Sequence, residues 1–269
     1  MRFLILFLIS FSGFAQDIFS PKNAEKYADY LLKSGQYELA AKEYERLVFF
    51  SPQNDTMKTM LLKSYRLANQ TDLALQRLMV IYPEVSVVPY SPSVEISKLY
   101  FTKRDWKAAS EFWESNKSLP EDDKTLLKTT VQIFENNFQE ARETIELLKN
   151  DENSLGLAYK SILEKETHKK SPALAGMMSL VLPGSGKAYS KNWKDGIVSL
   201  FFTAGMSFQA YRSFNTHGIN NYRGWIYSGI GFGFYLGNIY GGIKSTKDYN
   251  RKKINNLQHE ASNHFNLYF

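Results

Sequence analysis

An alanine recurs in this chain at positions 40, 74, 109 and 141, at intervals of 34, 35 and 32 residues. Each sits in a similar stretch: GQYELAAKEY from Gly35, QTDLALQRL from Gln70, RDWKAASEFW from Arg104 and NNFQEARETI from Asn136. Three residues before each alanine stand Tyr37, Thr71, Trp106 and Phe138; four after stand Tyr44, Leu78, Trp113 and Ile145. On a helix those positions share one face with the alanine. The small residue lets two helices approach, and the large ones fill the groove around it. A unit of this length cannot bury its apolar face alone, so copies stack. The expectation is an all-α fold whose N-terminal part, residues 16–150, is a solenoid of three to four helical hairpins. Pro52, Pro83 and Pro120 fall where each second helix should end. VSVVPYSPS, Val85–Ser93, interrupts the pattern with Pro89 and Pro92 and reads as a linker or a lengthened loop.

With those residues in view, the stretches resemble tetratricopeptide repeats. The first copy, AEKYADYLLKSGQYELAAKEYERLVFFSP, fits best, with Gly35 at the turn and Pro52 at the close. Later copies depart: Asn69, Lys103 and Asn136 or Asn137 occupy the turn region, and Thr71 replaces an aromatic. The resemblance implies a curved stack whose concave face binds peptide segments or other proteins, the partner unspecified. It makes Tyr37, Tyr44, Trp106 and Trp113 core residues rather than ligand contacts. A plain spacer is the alternative.

Residues 151–170 return to helical composition and read as a cap on the solenoid. Beyond them the composition changes. Gly196–Tyr211 and Gly224–Ile243 hold no charged residue, and Ser171–Gly186 is also charge-free. At about 1.5 Å per residue, twenty residues match the roughly 30 Å of a bilayer's apolar core. Residues 171–250 therefore read as a small helical transmembrane domain with two or three hydrophobic segments, the first stopping near Leu182. Trp193, Tyr211, Tyr222, Trp225 and Tyr249 stand near the segment ends, as interfacial aromatics do. PGSGKAY, with Pro183, Gly184, Gly186 and Tyr189, resembles the PGxGxxY motif of TM2-like two-span membrane domains, although Lys187 stands where many relatives have glutamine. A phosphate loop is rejected, because GSGK lacks the Walker spacing and a preceding strand. Gly233, Gly237 and Gly241 lie along one helix face, as in paired membrane helices. They are expected to pack against the preceding segment or a second copy, and Asn238 is expected to bond a neighbouring helix. Residues 251–269 read as a polar, solvated or interfacial tail.

Charge follows this division. Residues 16–150 carry 18 Lys and Arg against 20 Asp and Glu, whereas residues 151–269 carry 14 against 7. A basic excess that travels with apolar segments suits anionic lipid and argues against nucleic acid. MRFLILFLISFSGFA, with Arg2, a short apolar run and Gly13 and Ala15 before Gln16, reads as a cleaved signal peptide, residues 1–15. It places the solenoid outside the cytoplasm. Two spans would leave Lys187, Lys191, Lys194 and the Lys244–Lys253 cluster outside as well, while a third would bring them in.

There is no cysteine, hence no disulfide or thiolate chemistry. His168, His217, His259 and His264 lack metal-ligand spacing, and no nucleophile or nucleotide motif is present. No catalytic residue, cofactor or metal is expected. The reading is a non-enzymatic, membrane-tethered scaffold or adaptor of the bacterial cell envelope. Its partners are protein, through the repeats, and lipid, through the C-terminal domain. The alternative places an activity in the membrane domain, lipid handling or membrane-protein insertion, with the repeats as recruiter.

Overall fold

The turn inside each of the four hairpins passes through a residue of left-handed backbone: Gly35, Asn69, Arg104 and Asn136 (φ 79°, 58°, 58° and 64°). Each lies five residues before one of the recurring alanines. In each, the next amide donates to the carbonyl five residues back: Gln36 to Leu31, Gln70 to Tyr65, Asp105 to Tyr100 and Asn137 to Gln132, at 2.8–3.2 Å. This is a helix stop that tolerates glycine best and asparagine next. The turn residue of the third hairpin is thus Arg104, and Lys103 remains the last helical residue.

The structure, a computed structural model, describes residues 20–150, 152–167 and 169–269, and no strand occurs among them. The leader expected at residues 1–15 lies outside the described residues. The hairpins are α1 (Pro21–Lys33) with α2 (Tyr37–Phe50), α3 (Asp55–Leu67) with α4 (Thr71–Ile81), α5 (Tyr90–Lys103) with α6 (Trp106–Ser115), and α7 (Glu121–Phe134) with α8 (Phe138–Ile145). Packing divides the chain into two compact units between Leu127 and Lys128, so the fourth recurring alanine falls in the second unit.

In the first unit the core is built from the repeat positions. Ala40, Tyr44, Ala74, Leu78, Ala109 and Trp113 are buried. Polar atoms in this core are paired: Trp113 Nε1 donates to Ser97 Oγ at 2.8 Å, which donates in turn to Ser93 O at 2.8 Å. Val85–Val87 forms a single 3-10 turn, and α5 begins at Tyr90. The reading of Val85–Ser93 as a linker is corrected here, since Pro92 sits in the first turn of α5, where its missing N–H costs no hydrogen bond. Pro120 likewise stands at the start of α7 rather than at the end of α6.

The second unit adds α9 (Ser154–Glu166), α10 (Pro172–Val181), the short α11 (Ser185–Tyr189), α12 (Trp193–His217) and α13 (Tyr222–Tyr268). α10 ends with Leu182 as its C-cap, as its sequence foretold. The tail reading of residues 251–269 is corrected: all but the C-cap Phe269 form the last turns of the 47-residue α13. Leu257, Ala261 and Phe265 are buried there, and Lys165 on α9 pairs with Glu260 at 2.6 Å. Gln258 Nε2 donates to the last carbonyls of α7, Ile133 O (3.2 Å) and Phe134 O (3.0 Å), at the C-terminal end of that helix.

No helix of the described residues is long and apolar enough to cross a membrane, so the two or three spans expected from the charge-free blocks are not found as such. Absence of charge is not hydrophobicity. Gly224–Ile243 contains seven glycines, three tyrosines and Asn238, and Gly196–Tyr211 contains Ser199, Thr203, Ser207 and Gln209.

Candidate functional site

The turn Pro183–Tyr189 brings the backbones of α10, α11 and α12 against one another. Gly184 has φ 89°, and a Cβ there would lie 2.0 Å from Gly196 O of α12. A Cβ on Gly186 would lie 2.1 Å from Ala175 O and 2.4 Å from Ser179 Oγ of α10. Both glycines are needed because backbone meets backbone, and no side chain fits between. Gly186 N–H donates to Ser179 Oγ (3.2 Å), so it is not free to cradle a phosphate, and helix α10 rather than a strand precedes the turn. Tyr189 OH accepts from Ser171 N–H (3.3 Å), and Tyr189 O accepts from Lys170 Nζ. That ammonium lies over the Tyr189 and Tyr249 rings, 4.9 and 4.7 Å from their centroids. Asn250 then ties Lys170 to α13 through both of its backbone groups (3.0 and 2.7 Å).

The next turn repeats the geometry of the hairpins. Lys191 is left-handed (φ 65°), Asn192 N–H donates to Lys187 O at 2.9 Å, and five residues after Lys191 stands buried Gly196. Trp193 and Leu200 occupy the places that Tyr37 and Tyr44 hold in the first hairpin. The same local rule therefore operates at the start of α12, with glycine where the others have alanine. Its signal was present in the spacing but hidden by that exchange.

Among the glycines of α13, close approach to another helix falls at Gly224, against the Phe214 ring, and at Gly231 and Gly242. A Cβ on Gly242 would meet Ser179 Oγ at 2.6 Å, whereas Gly233 and Gly237 have open space and Gly241 lies against the Lys187 side chain. Asn238 Nδ2 donates to Thr203 Oγ1 on α12 at 2.9 Å, the inter-helix bond its position suggested. Its Oδ1 is buried without a hydrogen-bond partner among the described residues.

Around this polar seam the outer faces are apolar. Ile197, Val198, Phe201, Phe202 and Phe208 on α12 are exposed, as are Ile226, Ile230, Phe232, Phe234 and Leu236 on α13 and Met177, Leu180 and Val181 on α10. Phe202 stacks on Phe234 with centroids 5.5 Å apart.

In the first unit, Gly35 is the left-handed turn, and Tyr37 and Trp106 are half-buried beside buried Ala40 and Ala109. Phe138 and Ala141 are buried within the second unit. A cleft of about 440 Å³ lies between α2 and α4, lined by Lys42, Glu45, Phe49, Arg77, Val80 and Ile81. Phe49 and Val80 are 81% and 68% exposed. Glu45 accepts from Arg77 Nε (2.5 Å) and Tyr65 OH (2.6 Å). Burial alone would raise its carboxyl, but these two bonds hold it below the ordinary carboxylate range. Tyr65 is pushed up to about 12 by burial and by its bond to that carboxylate.

Asn116, which sequence reasoning missed, is fully buried. It donates through Nδ2 to Val85 O, Val88 O and Ser93 Oγ (3.0–3.2 Å) and accepts through Oδ1 from Ser118 and Leu119 N–H (2.9 and 3.0 Å). A lone asparagine among polar neighbours gives no sequence signal for such a role. No group of three or more His, Cys, Asp or Glu that could hold a metal ion occurs among the described residues. No family model, curated protein or solved structure matches the chain.

Proposed function

We propose that this protein is a non-enzymatic adaptor of the bacterial cell envelope, whose second unit lodges in lipid and whose first unit captures a protein. The observation that carries the reading is the continuous set of exposed apolar side chains on α10, α12 and the first half of α13. Each large apolar side chain left in water forfeits roughly 1.5–3 kcal/mol relative to burial. Low mean hydropathy does not oppose this, because Thr203 and Asn238 face each other between the two helices rather than outward. Charges bound the apolar runs: Asp195 and Arg212 on α12, Arg223 and Lys244 on α13. Those intervals correspond to roughly 25 and 30 Å of helix, the scale of a bilayer core.

For the first unit, the resemblance to tetratricopeptide repeats supports protein capture. The residues suited to it are Phe49, Phe50, Met79 and Val80, exposed on α2 and α4 beside the cleft that Glu45 and Arg77 border. Aromatic and apolar anchors beside a charged rim are the usual composition of a protein-docking surface.

Flotation of the full chain with phosphatidylcholine vesicles tests the lipid reading. The native chain is expected to float, and a Phe201→Ser, Phe232→Ser double variant to shift markedly toward the dense fraction. A native chain that stays monomeric in detergent-free buffer and does not float with the vesicles would sink the proposal.

A further inference from the structure

A basic cleft opens at the polar end of the α12–α13 pair. It has a volume of about 570 Å³ and is lined by Lys187, Lys191, Lys244, Lys252, Ser245 and Tyr249, among others. Its lysines come from three separate stretches, the α11 turn, the start of the α11–α12 link and the middle of α13, so the fold rather than the local sequence concentrates them.

The balance of charge inside the cleft is what selects a ligand. Two carboxylates also line it, Asp195 and Asp248. Asp248 is paired with Arg251 at 2.9 Å, and Asp195 accepts from Asn192 Nδ2 at 2.7 Å. Neither of them pairs with one of the four lysines; among the described residues none of those lysines is in an ion pair with a carboxylate. Lys187 Nζ donates only to a neutral hydroxyl, Ser199 Oγ, at 2.7 Å. Its stem lies where a side chain on Gly241 would be, 2.7 Å from the Cβ position, so α13 leaves room for this ammonium at the cleft wall. Ser190 and Ser245 hydroxyls, 2.6 Å apart, sit among the lysines as further hydrogen-bonding groups.

Lys191 owes its left-handed backbone to the helix-stop turn before α12, and that turn sets its side chain at the border of the cleft.

We infer that this cleft binds a phosphate group. Four ammonium groups on flexible stems, with hydroxyls between them, match a tetrahedral anion that accepts several hydrogen bonds. The inference rests on the lipid reading only for its setting: Ile197 and Tyr240, exposed one turn or less from the cleft residues, would bring it level with lipid headgroups. The phosphate can be that of an anionic headgroup or of a water-soluble ester.

The test uses the full chain purified in a neutral detergent. Its thermal stability and binding are followed on adding inorganic phosphate, glycerol phosphate, or phosphatidylglycerol with phosphatidylcholine as control. Lys244→Gln with Lys252→Gln is the reporting variant, since both side chains are exposed and neither supports the core. Lys22→Gln with Lys26→Gln on α1 makes the same change of net charge elsewhere. Saturable binding of a phosphate compound is expected, weakened roughly tenfold or more by the α13 variant and little by the α1 variant. Response to phosphatidylglycerol alone identifies a headgroup site; response to the soluble compounds identifies a free-phosphate site. No binding of any of them, or equal loss in both variants, overturns the inference. Flotation of the native chain on phosphatidylcholine reports lipid association separately, so failure here is distinguishable from failure of lipid association itself.

Discussion

Gly186 and Gly237 are both helical glycines in charge-free sequence, yet the structure gives them opposite roles. A methyl group on Gly186 would collide with the Ala175 carbonyl at 2.1 Å, whereas one on Gly237 would meet nothing within 4 Å. Gly186→Ala should therefore destabilise the second unit by about 3 kcal/mol or more, the scale of overpacking against backbone. Gly237→Ala should be neutral or stabilising by up to about 1 kcal/mol, the helix propensity difference. Thermal melts of both variants in the same detergent check the pair; similar melting points would contradict the contact geometry. The sequence pattern singled out Gly237 by its spacing from Gly233 and Gly241, and Gly186 by its motif. Only the packed helices show which of them has a neighbour.

At the scale of elements, the hairpins were legible because one local rule produces each of them. A left-handed turn residue, a small residue five positions on and large residues flanking it recur from Gly35 to Asn136 and again at Lys191. The connector before α5 was not legible, because its helix start depends on Asn116, a residue distant in sequence that satisfies its carbonyls. Ion pairs between elements were equally invisible. Glu166 on α9 accepts from Arg142 on α8 at 2.6 Å and also pairs with Lys169. Burial would raise its carboxyl, but those two cations hold it below its ordinary value of 4.5. With the folded-state value depressed, the contribution is present above pH 4.5 and is lost as pH falls through the folded value. The native chain should thus lose more stability on acidification below that point than Glu166→Gln does. Denaturant midpoints measured across the acid range check this, and parallel curves would rule it out.

For the molecule as a whole, composition separates charge-balanced residues 16–150 from basic residues 151–269, whereas packing divides the chain between Leu127 and Lys128. The fate of the last nineteen residues was not legible either. Their polarity suggested a tail, while burial of only Leu257, Ala261 and Phe265 at roughly helical spacing makes them a structural face of α13. Three buried positions in nineteen residues are too few to register as an apolar pattern. Removing residues 251–269 should uncover α9 and forfeit several kcal/mol, a large part of what holds a domain of this size. Limited proteolysis is expected to cut within α9 of the truncated chain and to spare it in the native one; equal resistance would mean that the segment is dispensable. The length of α13 has a mechanical consequence. At about 1.5 Å per residue its 47 residues form a rod of roughly 70 Å. Its first half carries the apolar face, and its last turns are gripped by Lys165, by the α7 carbonyls that accept from Gln258, and by the α9 packing. Because no proline interrupts the rod, a tilt of about ten degrees around its middle would sweep the gripped end by about 6 Å, more than those hydrogen bonds can stretch. The angle at which the apolar half settles is therefore transmitted along the axis, and α9 must either follow it or let go.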